Sequence, residues 1–229
     1  MIDKIKSRYA DFRRVWKRDG LISAIRVSLR YLKKNPSTLL LRDPTYQSDR
    51  IDHDQRWEMM ADRIDSDAAN ALDVGCNRGA ITRRAADHGL FSLGIDRKAT
   101  IVNSARRRTD SPHCHYIQQN LSPKDIERFP EFDVGFLLAV YYHWTKLYGS
   151  NDGEKMLKDL CSRTDQLFLE TPTDLSYIQS EKLGDTDDPQ NALHEYFETV
   201  IPDSSVEFVG ETDYKGGERT DLIFEITTS

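Results

Sequence analysis

One short stretch constrains the fold more than any other part of the chain. The apolar run Ala71–Val74 leads into a turn with glycines at positions 75 and 79, and a helical pattern follows over Ala80–Asp87. A strand that turns through glycine into a helix N-terminus lets the backbone approach a nucleotide-like ligand closely. The dinucleotide fingerprint G-x-G-x-x-G would need glycine where Asn77 stands. The stretch therefore predicts a nucleotide-binding α/β fold that does not take a dinucleotide.

Strand-like and helix-like segments alternate from residue 70 onward. Such alternation predicts an α/β fold in three layers, αβα, whose seven-stranded, mostly parallel sheet is covered by helices on both faces. The last two strands are close in sequence and predict an antiparallel hairpin at the sheet edge. The predicted strands are Ala71–Val74, Phe91–Ile95, His115–Gln118, Val134–Val140, Leu167–Glu170, Val206–Val209 and Leu222–Ile226. The predicted helices are Asp52–Ile64, Ala80–Asp87, Ala99–Arg107, Glu154–Cys161 and Leu193–Val200.

The first 34 residues differ in charge from the rest of the chain. They hold 11 Lys and Arg against three Asp, a net charge of +8, within a chain of net charge −6, so the remainder carries −14. Apolar residues recur every three or four positions from Ile2 to Trp16 and from Leu21 to Leu32, which predicts two short amphipathic helices. We therefore expect a basic helical extension and linker over residues 1–45 and the main domain over residues 46–229.

Three roles fit this basic extension. Its apolar faces can pack on the main domain or on a second subunit. Its charge also suits the surface of an anionic membrane or a nucleic acid. The sequence does not indicate an oligomeric state.

Composition predicts a cytoplasmic protein, membrane-peripheral if the extension binds lipid. The sequence has no run of roughly 18 apolar residues and is charged from residue 3, so neither a spanning helix nor a secretory signal is predicted. Cys76, Cys114 and Cys161 are widely spaced and predict neither a disulfide framework nor a metal site, which fits a reducing compartment.

Acidic residues stand at or near the ends of the first two predicted strands. Asp73 belongs to the first, and Asp96 closes the second. Ligands of doubly wound sheets lie beyond the carboxyl ends of the strands, so both carboxylates are expected at the ligand crevice. An acid in the place of Asp96 can accept hydrogen bonds from a ribose diol, although a helix N-cap is the alternative role.

These residues resemble the class I S-adenosylmethionine-dependent methyltransferases, whose fold is Rossmann-like. The similarity rests on residues 72–79, L-D-V-G-C-N-R-G, and on Gly94-Ile95-Asp96, and it extends in order and spacing over residues 70–229. The resemblance implies the cofactor S-adenosylmethionine, its methionine part at the first turn and its ribose at Asp96. It implies an adenine contact after the third strand, where Asn120 replaces the family's common aspartate. The cofactor-binding residues so implied are Asp73, Gly75, Cys76, Asn77, Gly79, Asp96, Arg97, Asn120, Leu121 and Ala139.

The resemblance places the acceptor side of the site after the fourth strand, at Tyr141-Tyr142-His143-Trp144. In-line attack on a sulfonium methyl needs chiefly alignment, and a hydroxyl acceptor also benefits from a general base. His143 is the candidate base because its ordinary pKa lies near neutrality, and Tyr142 is the second candidate catalytic residue. Packing beneath the crevice is the alternative role for all four side chains. The acidic segment 174–192 is predicted to be a mobile flap or a solvated loop.

Three functions fit this pattern. The first is methyl transfer to a hydroxyl of a small molecule or glycan. The second is methylation of an RNA 5′ end or phosphate, because the chain also has a loose similarity to Bin3-type methyltransferases. The third is a non-catalytic, S-adenosylmethionine-binding subunit that supports a partner. The sequence has neither a phosphate-binding P-loop nor a nucleophile elbow, so those chemistries are not predicted.

Overall fold

The computed structural model describes residues 53–179, 182–183, 186–214 and 219–228. These residues all belong to one unit, Asp49–Ser229. The predicted extension, its two helices and its boundary with the main domain lie outside the described residues. Within the described ranges, no helix has the length and apolar character needed to cross a membrane.

A seven-stranded mixed sheet forms the centre of the described region. Strands β1 to β5 run parallel, β7 runs antiparallel to both of its neighbours, and the order is β3-β2-β1-β4-β5-β7-β6. The order reverses between β1 and β4, which is where doubly wound sheets bind ligands. The strands are β1 (Asn70–Val74), β2 (Phe91–Asp96), β3 (Cys114–Gln118), β4 (Phe132–Leu138), β5 (Thr164–Pro172), β6 (Ser204–Tyr214) and β7 (Arg219–Thr228).

Helices cover both faces of this sheet. Side chains alternate across a strand, so adjacent residues such as Phe136 and Leu137 belong to different apolar clusters. Phe136 packs with residues of α1 and α2, whereas Leu137 packs with residues of α5, α6 and α7. The helices are α1 (His53–Ala61), α2 (Ala80–Asp87), α3 (Ala99–Arg106), α4 (Pro123–Ile126), α5 (Tyr141–Tyr148), α6 (Ser150–Cys161) and α7 (Pro189–Val200).

The fold class predicted from the sequence is confirmed, including the antiparallel hairpin of β6 and β7 at the edge. Helix α2 has the predicted bounds, and the observed β5, β6 and β7 are longer than predicted. The prediction was wrong at the end of β4, which was expected to reach Val140. The strand stops at Leu138, Ala139 takes a φ of 58°, and helix α5 follows. Val140, Tyr141 and Tyr142 are good strand formers, which explains why local propensity did not reveal this helix.

The acidic segment 174–192 is partly ordered into short elements. Leu175–Tyr177 forms a 3-10 turn, and Tyr177 is buried. Helix α7 begins at Pro189, where Asp188 Oδ1 accepts a hydrogen bond from the Asn191 N–H at 3.2 Å. Residues 180–181 and 184–185 lie outside the described residues, so the flap stays a prediction.

Candidate functional site

Backbone hydrogen bonds hold the turn between β1 and α2 against β2. The N–H groups of Gly75 and Cys76 both donate to the Ile95 carbonyl, at 2.8 and 3.0 Å. Gly75, Asn77 and Gly79 have φ values of 76°, 51° and 72°. Glycine adopts this left-handed region without penalty and asparagine tolerates it. The glycine motif thus forms a tight turn at the carboxyl end of β1.

Packing within the protein supplies a second reason for the two glycines. A Cβ atom added to Gly75 would overlap Val140 Cγ2, and one added to Gly79 would overlap the Tyr116 hydroxyl. The sequence led us to expect that the missing side chains make room for a ligand. The structure shows that Val140 and Tyr116 fill the directions in which those side chains would point.

Asp96 lies at the end of β2, beside this turn. Asp96 is buried, with only 3% of the residue exposed. Oδ2 accepts from the Asn77 N–H at 3.1 Å, and Oδ1 accepts from the Lys98 N–H at 2.9 Å. Helix α3 is capped at Lys98 and not at Asp96, so the N-cap alternative for Asp96 does not apply. Two backbone N–H donors therefore fix the Asp96 carboxylate at the carboxyl end of β2, where a ligand is expected.

Asp73 is tied to helix α2. Its Oδ2 accepts from the Thr82 N–H at 3.1 Å and from the Thr82 hydroxyl at 2.6 Å. Burial raises the pKa of Asp73 to about 6, although the Thr82 bonds and the charge of Arg56 act in the opposite direction. Asp73 therefore orients α2 behind the turn, and its proposed contact with the cofactor stays a prediction.

Several other predicted cofactor residues surround this point. Cys76 is buried, and burial together with the nearby charges of Asp73 and Asp96 raises the pKa of its thiol. Asn120 is exposed just beyond β3, and the adjacent Gln119 N–H donates to the Asp96 carbonyl at 3.0 Å. The loop after β3 therefore lies beside Asp96 at the carboxyl end of the sheet.

Hydrogen bonds hold both ends of helix α5 at the carboxyl ends of the parallel strands. Ala139 donates its N–H to the Glu170 carbonyl at 2.9 Å, and the Tyr148 hydroxyl donates to the Leu121 carbonyl at 2.7 Å. The predicted cofactor residues Ala139 and Leu121 therefore hold, through their backbones, the helix that carries the acceptor-side residues. Its first turn presents His143 just after the end of β4.

The four acceptor-side residues separate into buried and exposed groups. Tyr141 and Trp144 are buried in the main apolar cluster, as their packing alternative predicts. His143 is exposed, and its ring centroid lies 4.0 Å from that of the buried Tyr142. His143 is thus the exposed member of the predicted acceptor-side group.

Positive charges surround His143. Partial desolvation by the surrounding protein, followed by the charges of Arg97, Lys146 and Arg219, lowers the pKa of His143 below its ordinary value of 6.5. The imidazole is therefore neutral at pH 7 and can accept a proton. Neutral histidine is the form that a general base requires.

Sequence reasoning missed Lys146 and Arg219. Lys146 follows His143 by three positions, which places both on one face of a helix once α5 is recognised. Arg219 opens β7, and an antiparallel strand begins at the edge where its parallel neighbours end. The predicted hairpin was the available signal for Arg219.

The described residues contain no group of three or more His, Cys, Asp or Glu side chains that could hold a metal ion. His113 and His115 are exposed on either side of the buried Cys114. Adjacent side chains of an extended segment point in opposite directions, which explains this separation.

Part of the chain matches a known protein family. A family model described as a methyltransferase domain matches residues 72–162. No curated protein matches the chain in sequence. Many solved structures share its fold.

One similar structure is the bifunctional kinase-methyltransferase WbdD, with a TM-score of 0.61 and 20% identity over 76% of this chain. The chain spans 39% of the length of WbdD. Magnesium protoporphyrin IX methyltransferase (ChlM) from Synechocystis PCC 6803, with bound SAM, has a TM-score of 0.58 and 16% identity over 97% of both chains. The N-terminal domain of EvdMO1, in the presence of SAH and D-fucose, has a TM-score of 0.56 and 16% identity over 80% of this chain and 85% of its own.

The donor set of the site fits S-adenosylmethionine, the cofactor of this domain. Asp96 provides a fixed carboxylate that can accept hydrogen bonds from hydroxyl groups. The turn from Gly75 to Gly79 places its backbone groups at the end of β1, and His143 is exposed on α5. These predicted cofactor residues lie at the carboxyl ends of the strands, near the reversal of strand order between β1 and β4.

Proposed function

We propose that this chain, a class I S-adenosylmethionine-dependent methyltransferase, transfers its methyl group to a hydroxyl of a small molecule or glycan. One observation carries the choice of a hydroxyl. His143 is exposed on the acceptor side, and its lowered pKa keeps it neutral at pH 7. A hydroxyl is a poor nucleophile until it loses its proton, so it gains more from such a base than an amine does.

The chain's own residues divide the work. The backbone of the β1–α2 turn and Asp96 would hold the cofactor, and Asn120 and Leu121 would contact its base. Bound S-adenosylmethionine supplies a methyl group on a positively charged sulfur that departs as a neutral thioether. His143 would orient the acceptor hydroxyl and accept its proton at a ring nitrogen. The Tyr142 ring lies beside the His143 ring, with 4.0 Å between their centroids and 35° between their planes.

The structural neighbours are compatible with this choice of acceptor. EvdMO1 was crystallised with a sugar, D-fucose. ChlM acts on a porphyrin, according to its name, so the fold alone does not select a substrate. The preference for a hydroxyl therefore rests on His143.

The first test is a labelling experiment. The full chain is incubated with methyl-labelled S-adenosylmethionine and extract fractions, and samples are treated separately with RNase, with protease or by lipid extraction. Label in small molecules or glycans is expected. Label that RNase removes would support the RNA alternative and contradict the proposal.

Two variants separate cofactor binding from chemistry. Asp96→Ala should lose most affinity for S-adenosylmethionine in a calorimetric titration. His143→Ala should keep that affinity and lose about 10²- to 10⁴-fold in turnover, the usual contribution of a general base. The exposed His113→Ala is the matched control and should change neither. Normal turnover in His143→Ala would show that the base assignment is wrong, and tight binding without turnover on any fraction would favour a non-catalytic subunit.

A further inference from the structure

The charges that act on His143 are all positive. The three residues whose charges shift the pKa of His143 are Arg97, Lys146 and Arg219, and all three are cations. They come from three separate elements of the fold: the residue after β2, helix α5 and the start of β7. The convergence therefore depends on the tertiary structure and is not a run of charge in the sequence.

Tyr142 packs beside two of these cations. Lys146 Nζ lies 5.4 Å from the centre of the Tyr142 ring, and Arg219 Cζ lies 5.6 Å from it. Cation–π contacts of this length hold both groups near the Tyr142 ring, whose centroid lies 4.0 Å from that of His143. The positive charges are thus positioned at the acceptor side of the site.

Nearby carboxylates offset only part of this charge. Asp221, which is fully buried, pairs with Arg219 through two contacts of 2.6 and 2.9 Å. Asp174 is exposed, and its pKa is lowered mainly by hydrogen bonds from Ser176 and further by the charges of Lys146 and Arg219. No ion pair joins Arg97 or Lys146 to a carboxylate of the described residues, and both side chains are exposed.

A cationic cofactor increases the electrostatic repulsion among these groups. Like charges held close together repel one another, and the sulfonium adds one more positive charge to the same crevice. An anion placed between these groups relieves the repulsion and gains charge-assisted hydrogen bonds.

We propose that the methyl acceptor is a small hydroxylated molecule bearing a phosphate or carboxylate group, and that Lys146 binds this group beside His143. The inference rests on the proposed function and narrows its substrate class. The anionic group anchors the acceptor while His143 faces the hydroxyl.

A single anionic group fits better than a polyanion. Outside residues 1–34 the chain carries a net charge of −14, and the exposed Asp174 is close enough to Lys146 and Arg219 for their charges to act on it. A nucleic acid would place further phosphates against this negative surface. RNA is therefore an outcome that the experiment must be able to reveal.

The first experiment follows binding directly. Inorganic phosphate or citrate is titrated into the full chain saturated with S-adenosylhomocysteine, and the histidine ring signals are followed by NMR. The His143 signal should move with either anion, and Lys146→Gln should weaken this response about tenfold or more, the loss expected for a charge-assisted hydrogen bond. Lys146→Arg should restore it, whereas the exposed Lys158→Gln on α6 should leave it unchanged. An unaltered response in Lys146→Gln would overturn the proposal.

The second experiment uses the unknown acceptor. A small-molecule filtrate of cell extract is divided by anion exchange before it is incubated with enzyme and labelled S-adenosylmethionine. The acceptor should be in the retained fraction, and Lys146→Gln should raise its apparent KM with little change in kcat. Prior phosphatase treatment abolishes labelling for a phosphate and spares it for a carboxylate.

The outcomes separate the two proposals. Label only in the unretained fraction, or only in RNA, would overturn the anionic small acceptor and leave methyltransferase activity standing. Failure to bind S-adenosylmethionine at all would instead remove the proposed function, and with it this inference.

Discussion

His143 sets the expected pH dependence at the residue scale. A base works when it is unprotonated, and the pKa of His143 is lowered from 6.5 by desolvation and by neighbouring cations. We therefore expect kcat/KM to be level near pH 7 and to fall at lower pH, with a midpoint below 6.5. The profile is measured in the parent and in His143→Ala. An acidic limb of the same midpoint in the variant would assign it to another group.

Asp73 gives the folded state a pH dependence of its own. Its pKa is about 6 in the fold against an ordinary 3.8, so the folded state binds a proton more tightly than the unfolded state. Between these values the unfolding free energy of the parent relative to Asp73→Asn should fall as pH rises, by about 3 kcal/mol in all. Denaturant titrations at several pH values measure this difference. A difference that does not change with pH would contradict the raised pKa of Asp73.

At the scale of elements, a buried ion pair fastens α1 to the sheet. Arg56 of α1 pairs with Glu170 of β5, which is fully buried and also accepts from the Thr212 hydroxyl of β6 at 2.9 Å. Arg56→Ala removes this cation from the buried Glu170 carboxylate, which water does not reach. The variant should therefore lose about 3–5 kcal/mol of unfolding free energy. The double variant Arg56→Met, Glu170→Gln should recover much of this loss.

A matched control lies on the same helix. Asp54 pairs with Arg84, but Asp54 is largely exposed, so Asp54→Ala should cost at most about 1 kcal/mol. Equal losses for Arg56→Ala and Asp54→Ala in denaturant titrations would show that burial of the Arg56–Glu170 pair has no energetic weight.

The contact of the β1–α2 turn with the start of α5 couples the two halves of the site. An alanine at position 75 would overlap Val140, which immediately precedes α5. Gly75→Ala should lower the unfolding free energy by about 2–4 kcal/mol through overpacking and left-handed strain. Gly89 also has positive φ, 108°, but no atom lies within 4 Å of an added Cβ. If steric overlap is decisive, denaturant titrations should show a larger loss of unfolding free energy for Gly75→Ala than for Gly89→Ala, although alanine tolerates the φ of position 75 better.

At the scale of the whole molecule, the described residues hold the sheet, its covering helices and all the predicted cofactor residues. A chain of residues 46–229 is therefore expected to fold and to bind S-adenosylmethionine with the affinity of the full chain, which calorimetry measures. Sedimentation with anionic vesicles or RNA then tests the net charge of +8 in residues 1–34. An insoluble or non-binding truncated chain would instead favour packing of the extension on the domain.

The sequence predicted those parts of the fold that local pattern encodes. The apolar run of β1, the turn at Gly75 and Gly79 and the amphipathic α2 are adjacent in sequence, and all three formed as predicted. Helix α5 was missed because its aromatic residues favour strands locally, while burial of Tyr141 and Trp144 decides their structure. Arg219 was missed because its nearness to His143 depends on the pairing of β7 with β5, a contact between distant parts of the chain.

The place of β7 in the sheet has a consequence for biosynthesis. β7 follows β6 along the chain but lies between β5 and β6. While a ribosome is still making residues 219–228, β5 exposes an unpaired edge, and β6 has no strand through which to join the sheet. Such an edge can pair with other nascent chains. Completion of the domain therefore waits for its last described strand, and a pause before residue 219 would favour aggregation or capture by a chaperone.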